Sequence, residues 1–135
     1  MITVTLEGSR ITDLAGLYAE VNAQFMAEES WQLGPSLDAL NDLLHGGIGL
    51  MAAHPDETLR VVWHEHATSR AALGFEDTRD WYREKLARPG FNRGVIEERL
   101  AELEAGTGPT YFDLVLQVFA DHAPERGGRV ELVLD

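Results

Sequence analysis

Both ends of the chain alternate hydrophobic and polar positions, which is typical of β-strands with one face in a core. The alternating apolar residues are Ile2, Val4 and Leu6 at one end and Val130, Leu132 and Leu134 at the other. Between them, residues 59–63 form a β-rich run, Leu-Arg-Val-Val-Trp, that predicts a central strand covered on both faces. The pattern therefore predicts three strands.

Apolar residues at helical spacing predict helices between these strands. Thr12 can cap a helix over residues 12–26, and Ser36 can cap a second helix over Leu37–His45 after the break at Gly34-Pro35. A further helix follows Thr110, which with Asp113 approximates a capping box.

The segment over residues 64–109 is charged and helical in character. Its pattern predicts helices over residues 78–87 and 95–105, separated by Arg88-Pro89-Gly90. The run Gly46-Gly47-Ile48-Gly49 predicts a turn, because no Lys-Ser/Thr follows it as in a phosphate-binding loop.

The element order indicates an α/β fold with a small three-stranded parallel β-sheet packed against helices. Parallel strands need long crossover connections, and helical segments of sufficient length separate each pair of strands. We expect a single domain over residues 1–135, with an inserted helical segment at about 64–109 between the second strand and the last helix.

Charge and composition restrict the possible functions. The 135 residues include 23 acidic and 11 basic ones, a net charge of −12 that repels nucleic acid and anionic membranes and attracts basic partners. Cysteine is absent, which excludes disulfides and thiol catalysis. We recognise no catalytic constellation, and expect no cofactor. Without a signal peptide or an apolar run of bilayer length, we expect a cytoplasmic protein.

Some of the acidic residues occupy positions that helix stability does not explain. Asp38 and Asp42 lie one turn apart on the polar side of the second helix, where like charges cost about 0.2–0.5 kcal/mol. The helix dipole accounts for Asp38 near the N-terminus but poorly for Asp42. On the last helix, Asp113, Gln117 and Asp121 lie on one side. This polar side is either a second part of a binding surface or an ordinary solvent-facing side of the helix.

Two runs resemble the barstar family of ribonuclease inhibitors. Residues 33–44 are similar to its signature G-x-x-L-D-A-L-x-D, and residues 116–121, Leu-Gln-Val-Phe-Ala-Asp, resemble its last helix. The resemblance implies an antitoxin or immunity-type inhibitor whose acidic face blocks the basic active site of an extracellular ribonuclease or related nuclease toxin. The residues it assigns to partner binding are Gln32, Leu33, Gly34, Ser36, Asp38, Asn41, Asp42 and Asp121.

The sequence departs from this family where aromatic residues are expected. Gln32 and Leu33 replace two aromatics before the glycine, Asn41 replaces a tryptophan, and Trp31 lies one position earlier. Aromatic anchors usually contribute much of an interface's energy. An alternative is therefore a barstar-like interaction module with a non-nuclease partner. We expect a monomer when free.

Two further features have competing interpretations. Trp63-His64-Glu65-His66 would place His64 and His66 on one face if the strand continued, and His54 or His45 would complete a site in a metal-dependent enzyme; surface histidines are the simpler interpretation.

Apolar residues with helical spacing in the inserted segment predict core packing or a second partner surface. They are Trp81, Tyr82, Leu86, Ile96, Leu100 and Leu103. The nearby glutamates Glu97, Glu98, Glu102 and Glu104 predict a solvated face.

Overall fold

The computed structural model describes all 135 residues and contains one parallel β-sheet. Its strands are β1 (Ile2–Glu7), β2 (Leu59–His64) and β3 (Val130–Leu134), in the spatial order β1-β2-β3. The predicted α/β class and the central position of β2 are both confirmed.

Seven α-helices connect the strands. They are α1 (Leu14–Phe25), α2 (Leu37–His45), α3 (Gly49–Ala53), α4 (His66–Ala72), α5 (Phe75–Leu86), α6 (Arg93–Glu104) and α7 (Tyr111–Asp121). Short 3-10 turns follow β1 at Gly8–Arg10 and precede β3 at Pro124–Arg126. None of these helices combines the length and apolar character needed to span a bilayer.

The main core lies on one face of the sheet. Val4 pairs with Val61, which pairs with Leu132, so the alternating apolar residues of all three strands share that face. Arg60 and Val62 on the other face of β2 are only half-buried. The prediction that β2 is covered on both faces was therefore wrong, because its residues alternate between core and surface.

Side-chain caps fix where the helices begin. Ser36 Oγ accepts the Ala39 N–H at 3.0 Å at the start of α2, as predicted. Thr110 and Asp113 form the complete capping box of α7. The N-cap of α1 is Asp13, whose Oδ1 accepts the Gly16 N–H at 2.6 Å, rather than the predicted Thr12.

The sequence pattern did not predict α3 and α4. Helix α3 begins at Gly49 inside the predicted turn, with no side-chain cap to signal it. Only glycine fits there, because φ is +62° and an added Cβ would lie 2.6 Å from the Phe25 carbonyl oxygen. Strand β2 ends at His64, Glu65 adopts a left-handed conformation, and α4 starts at His66.

Helices α5 and α6 form a hairpin with a small core of its own. Tyr82, Ile96 and Leu103 are buried in it, and Trp81, Leu86 and Leu100 pack against them. These residues confirm the core-packing interpretation of the inserted segment. Trp81 also packs edge-on to Tyr111 at 4.8 Å between ring centroids, which joins the hairpin to the main core.

Candidate functional site

Helix α2 exposes two carboxylates that the chain itself leaves unpaired. Leu40, Leu43 and Leu44 bury its apolar side, so the side with Asp38 and Asp42 faces solvent. No basic group of the chain lies within 4.0 Å of either carboxylate. Both aspartates are therefore available to a cationic partner without breaking an internal ion pair.

Helices α2 and α7 pack against each other near their C-termini. The Nε2–H of His122 donates to Asn41 Oδ1 at 2.8 Å, and its ring meets His45 edge-on with the centroids 4.8 Å apart. Asn41 precedes Asp42 and His122 follows Asp121, so the hydrogen bond joins the neighbours of the two acidic residues. We call the exposed side chains Asp38, Asp42 and Asp121 the acidic surface.

The third member of the acidic surface differs from the other two. Asp121 Oδ1 accepts from Gln117 Nε2 at 2.9 Å and lies 3.4 Å from an Arg126 guanidinium nitrogen. Its side chain is still 47% exposed. Because Arg126 already offsets part of its charge, Asp121 is a weaker candidate for partner binding than Asp42.

His122 is the buried group beneath this surface, with 6% of its area exposed. Burial and the neighbouring His45 lower its pKa, while the Asp121 carboxylate partly opposes them. The neutral form is therefore favoured at pH 7, and its single Nε2 proton is used in the bond to Asn41. Asn41, predicted as a contact residue, also holds α2 against α7.

The loop before α2 is attached to α1 by a buried asparagine. Asn22 Oδ1 accepts the Leu33 N–H at 2.8 Å, and Asn22 Nδ2 donates to the Leu33 carbonyl at 3.2 Å. The Leu33 side chain is only 7% exposed and packs in the main core. Leu33 was predicted to contact a partner, but its side chain instead anchors the loop.

The neighbours of Leu33 remain open to solvent. Gln32, Gly34 and Ser36 are exposed, and Trp31 is 46% exposed. Nothing lies within 4 Å of a Cβ built on Gly34, and its φ is outside the left-handed region. The fold itself therefore does not require glycine at this position. Its backbone is accessible to a partner.

Helix α5 borders the acidic surface without covering it. A cavity of about 570 Å³ separates the start of α2 from the end of α5 and reaches Asp38 on one side and Lys85 on the other. Asp38 remains exposed. Sequence reasoning missed Lys85 as a neighbour of this surface, since its only signal is that it is the one lysine in the chain.

The geometry assumed for a metal site is wrong. His64 ends β2 and bonds Asp135 Oδ2 at 2.7 Å, whereas His66 lies in α4 and its Nδ1 bonds the Asp135 carbonyl at 2.8 Å. The hydrogen bond to Asp135 raises the pKa of His64. No group of three or more His, Cys, Asp or Glu residues is placed to hold a metal ion.

Comparison with known proteins gives one positive finding. No curated protein matches the chain. The model of the family described as Barstar (barnase inhibitor) matches residues 1–88, from β1 through α5. Helix α7 lies outside the matched range, and the match assigns no role to a single residue, so the partner-binding roles of all the predicted site residues stay predictions. The match includes α2 with Asp38 and Asp42 and spans more than half of the sequence; the chain belongs to the barstar family.

Proposed function

We propose that the protein is an immunity or antitoxin-type inhibitor of an extracellular ribonuclease or related nuclease toxin. The family is one of ribonuclease inhibitors. The observation that carries the finer proposal is the pair of exposed, internally unpaired carboxylates at Asp38 and Asp42. They lie on one helix whose opposite side is buried in the core.

The proposed mechanism is electrostatic occlusion of an active site. A ribonuclease binds phosphate groups with clustered cationic side chains, and carboxylates held at similar positions satisfy the same charges. Asp42 would take the central contact, because it lies beside the α2–α7 junction, and Asp38 would reach the next cation one turn away. RNA and inhibitor would then compete for the same cleft.

The remaining site residues have supporting roles in this proposal. The open backbone at Gly34 allows close approach of the partner, and Gln32 and Trp31 flank it with exposed side chains. Asn41 and Leu33 act mainly through the position of α2 and its loop. Asp121 adds negative charge at the edge, reduced by Arg126.

The setting of this function is also proposed. We infer a cytoplasmic protein, monomeric when free, that binds neither nucleic acid nor membranes. The net charge of −12 supports these exclusions, since like charges repel both polyanions.

A second candidate is an interaction module of the same fold with a non-nuclease partner. Leu33 and Asn41 stand where the family has aromatic residues, and neither is aromatic. In addition, Leu33 is buried and the Asn41 amide is hydrogen-bonded to His122, so neither side chain is free to anchor a partner. Trp31 is the exposed aromatic residue of the loop. A partner that needs fewer aromatic contacts would be compatible with this arrangement.

Titration of the purified protein into a panel of barnase-type ribonucleases tests the first candidate. RNA cleavage should fall with added protein for at least one enzyme, and Asp42→Ala should require a much higher concentration. Equal inhibition by both proteins would reject the role of Asp42. Uninhibited cleavage across the panel would favour the second candidate.

A further inference from the structure

Lys85 is a cation without a counter-ion in a strongly acidic protein. It is the one lysine among 135 residues, and the chain has 23 acidic side chains. No carboxylate lies within 4.0 Å of its ammonium group. In a protein with net charge −12, a half-buried cation left unpaired requires an explanation.

Aromatic rings hold the Lys85 ammonium in place. Its Nζ lies 4.1 Å from the centroid of the Trp81 ring and 5.2 Å from that of Phe91. Such contacts fix a cation by attraction to the ring faces and leave its other hydrogen-bonding directions free. Burial lowers the pKa of Lys85, and the charge of Asp38 opposes this change.

The cavity around Lys85 is continuous with the acidic surface. Residues 35–38 at the start of α2 form one wall, and Trp81, Lys85 and Arg88 form part of the other. Arg88 is bonded to Glu84, so Lys85 is the cation that remains unsatisfied there. A partner that reaches Asp38 necessarily lies beside this opening.

We propose that this cavity is a second contact region of the inhibitor, which receives a carboxylate side chain from the nuclease segment beside its basic cleft. The inference rests on the proposed function and adds a requirement to it. Asp38 attracts a cation, and Lys85, close enough for the two charges to interact, attracts an anion. The partner must then present both signs in the matching order.

The consequence of such a pattern is specificity. Complementary charges across an interface favour one partner, whereas a basic group opposite Lys85 would be repelled. A nuclease with a cationic cleft but no adjacent carboxylate would bind through the acidic surface alone, with lower affinity. Helix α5 would thus select among nucleases that α2 alone could not distinguish.

The test measures binding of catalytically inactive barnase-type ribonucleases to four proteins. They are the wild type, Lys85→Glu, Asp42→Asn and Arg99→Glu. Arg99 lies on the exposed side of α6, and its reversal changes the net charge as much as Lys85→Glu does. Thermal unfolding of each variant confirms that it is folded.

The reference is the nuclease that binds the wild type most tightly. For this nuclease, we expect Lys85→Glu to raise the Kd by about tenfold or more, and Arg99→Glu to change the Kd by less than about threefold. Replacement of the opposing nuclease carboxylate by lysine should restore binding to Lys85→Glu. Unchanged or tighter binding by Lys85→Glu, with Asp42→Asn still weak, overturns the cavity inference alone. No effect of Asp42→Asn overturns the proposed mechanism, and no binding across the panel overturns both.

Discussion

Helices α2 and α6 both expose acidic residues, but the two on α2 are unpaired, whereas three of the four glutamates on α6 are in ion pairs and only Glu98 is not. On α6, Glu97 lies 3.7 Å from Arg93 and Glu102 lies 3.7 Å from Arg99. Glu104 lies 3.9 Å from Arg83 of α5. On α2, no basic side chain pairs with Asp38 or Asp42.

This difference separates charge that serves solubility from charge available for binding. Exposed ion pairs such as those of α6 contribute about 0–1 kcal/mol each and locally cancel the field. No basic side chain offsets the α2 carboxylates, which repel each other at about 0.2–0.5 kcal/mol. An acidic composition therefore identifies a binding surface only where the protein's own cations are absent.

The largest expected effect is the loss of one α2 carboxylate. Asp42→Ala should weaken binding to a ribonuclease partner by about 2 kcal/mol or more, roughly thirtyfold in Kd. This magnitude is the general scale for charge pairs buried at protein interfaces, among them the pairs between barnase and its inhibitor. Isothermal titration calorimetry gives the affinity.

The matched control is Glu102→Ala on α6. It also removes one negative charge, yet Glu102 is paired with Arg99 and lies away from the acidic surface. Its Kd should stay within about twofold of the wild type. If the two variants lost affinity equally, the unpaired carboxylates of α2 would contribute no more to binding than the paired carboxylates of α6, and the account would be wrong.

Asn22→Ala should affect both stability and binding. It leaves the buried Leu33 N–H and carbonyl without partners, which lowers the free energy of unfolding by about 1–3 kcal/mol. The loop before α2 is then less fixed, so binding should also weaken. Urea unfolding and calorimetry measure the two effects.

Asn92→Ala provides the corresponding change at α6. Asn92 Oδ1 caps that helix by accepting the Val95 N–H at 3.2 Å, and its loss should cost about 1 kcal/mol of stability. We expect unchanged affinity, since the Asn92 side chain bonds only within α6 and does not line the cavity beside α2, although its neighbour Phe91 does. Reduced affinity in both variants would mean that binding follows global stability and not loop position.

A smaller effect is expected from Gly34→Ala. The added methyl group meets nothing within 4 Å in the free protein, so the melting temperature should be unchanged. Binding should weaken by about 1 kcal/mol if a partner closely approaches this backbone. Gly94→Ala in α6, where an added Cβ makes only an ordinary 3.5 Å contact with Asn92 Oδ1, is the control for binding and should leave the Kd unchanged. Its melting temperature should stay the same or rise, because alanine favours a helix more than glycine does. Full affinity in Gly34→Ala would remove the loop from the interface.

The smallest expected effect is the dependence of stability on pH. Helix α6 should not contribute to it near neutral pH, because α6 contains no histidine. Burial and His45 lower the pKa of His122 in the folded protein, so the unfolded chain binds more protons. The free energy of unfolding should therefore fall as pH drops through about 6.5, and level off below the folded pKa. Asp121 opposes this shift but does not reverse it.

Comparison with His122→Gln isolates this contribution. The two proteins must be compared because His64 also titrates in this range. The pKa of His64 is raised in the folded protein, so the stability that His64 contributes is lost as pH rises through that folded pKa. Urea unfolding between about pH 5 and 8 should show a weaker fall toward acid pH in the variant. The same fall in both proteins would assign the effect to other groups.

The elements that local signals define could be predicted from the sequence. Alternation predicted β1 and β3, and Ser36 and the Thr110–Asp113 box marked the starts of α2 and α7. The short helices α3 and α4 carry no side-chain cap and were missed.

The site was predictable only in part, for a different reason. The resemblance supplied Asp38 and Asp42, and the structure places both on an open face. Burial of Leu33 depends on Asn22, and the position of Lys85 depends on how α5 packs beside α2. Such relations between distant residues are set by tertiary packing, which one sequence does not display.

The most direct test of the central claim measures association rates for two double variants. Asp38→Asn/Asp42→Asn and Glu97→Gln/Glu102→Gln change the net charge equally, so the variants differ in where the charge lies and in whether the chain pairs it. At low salt, stopped-flow mixing with a ribonuclease should show about a tenfold slower rate for the α2 pair and less than about a twofold change for the α6 pair. Equal rates for the two variants would contradict the account.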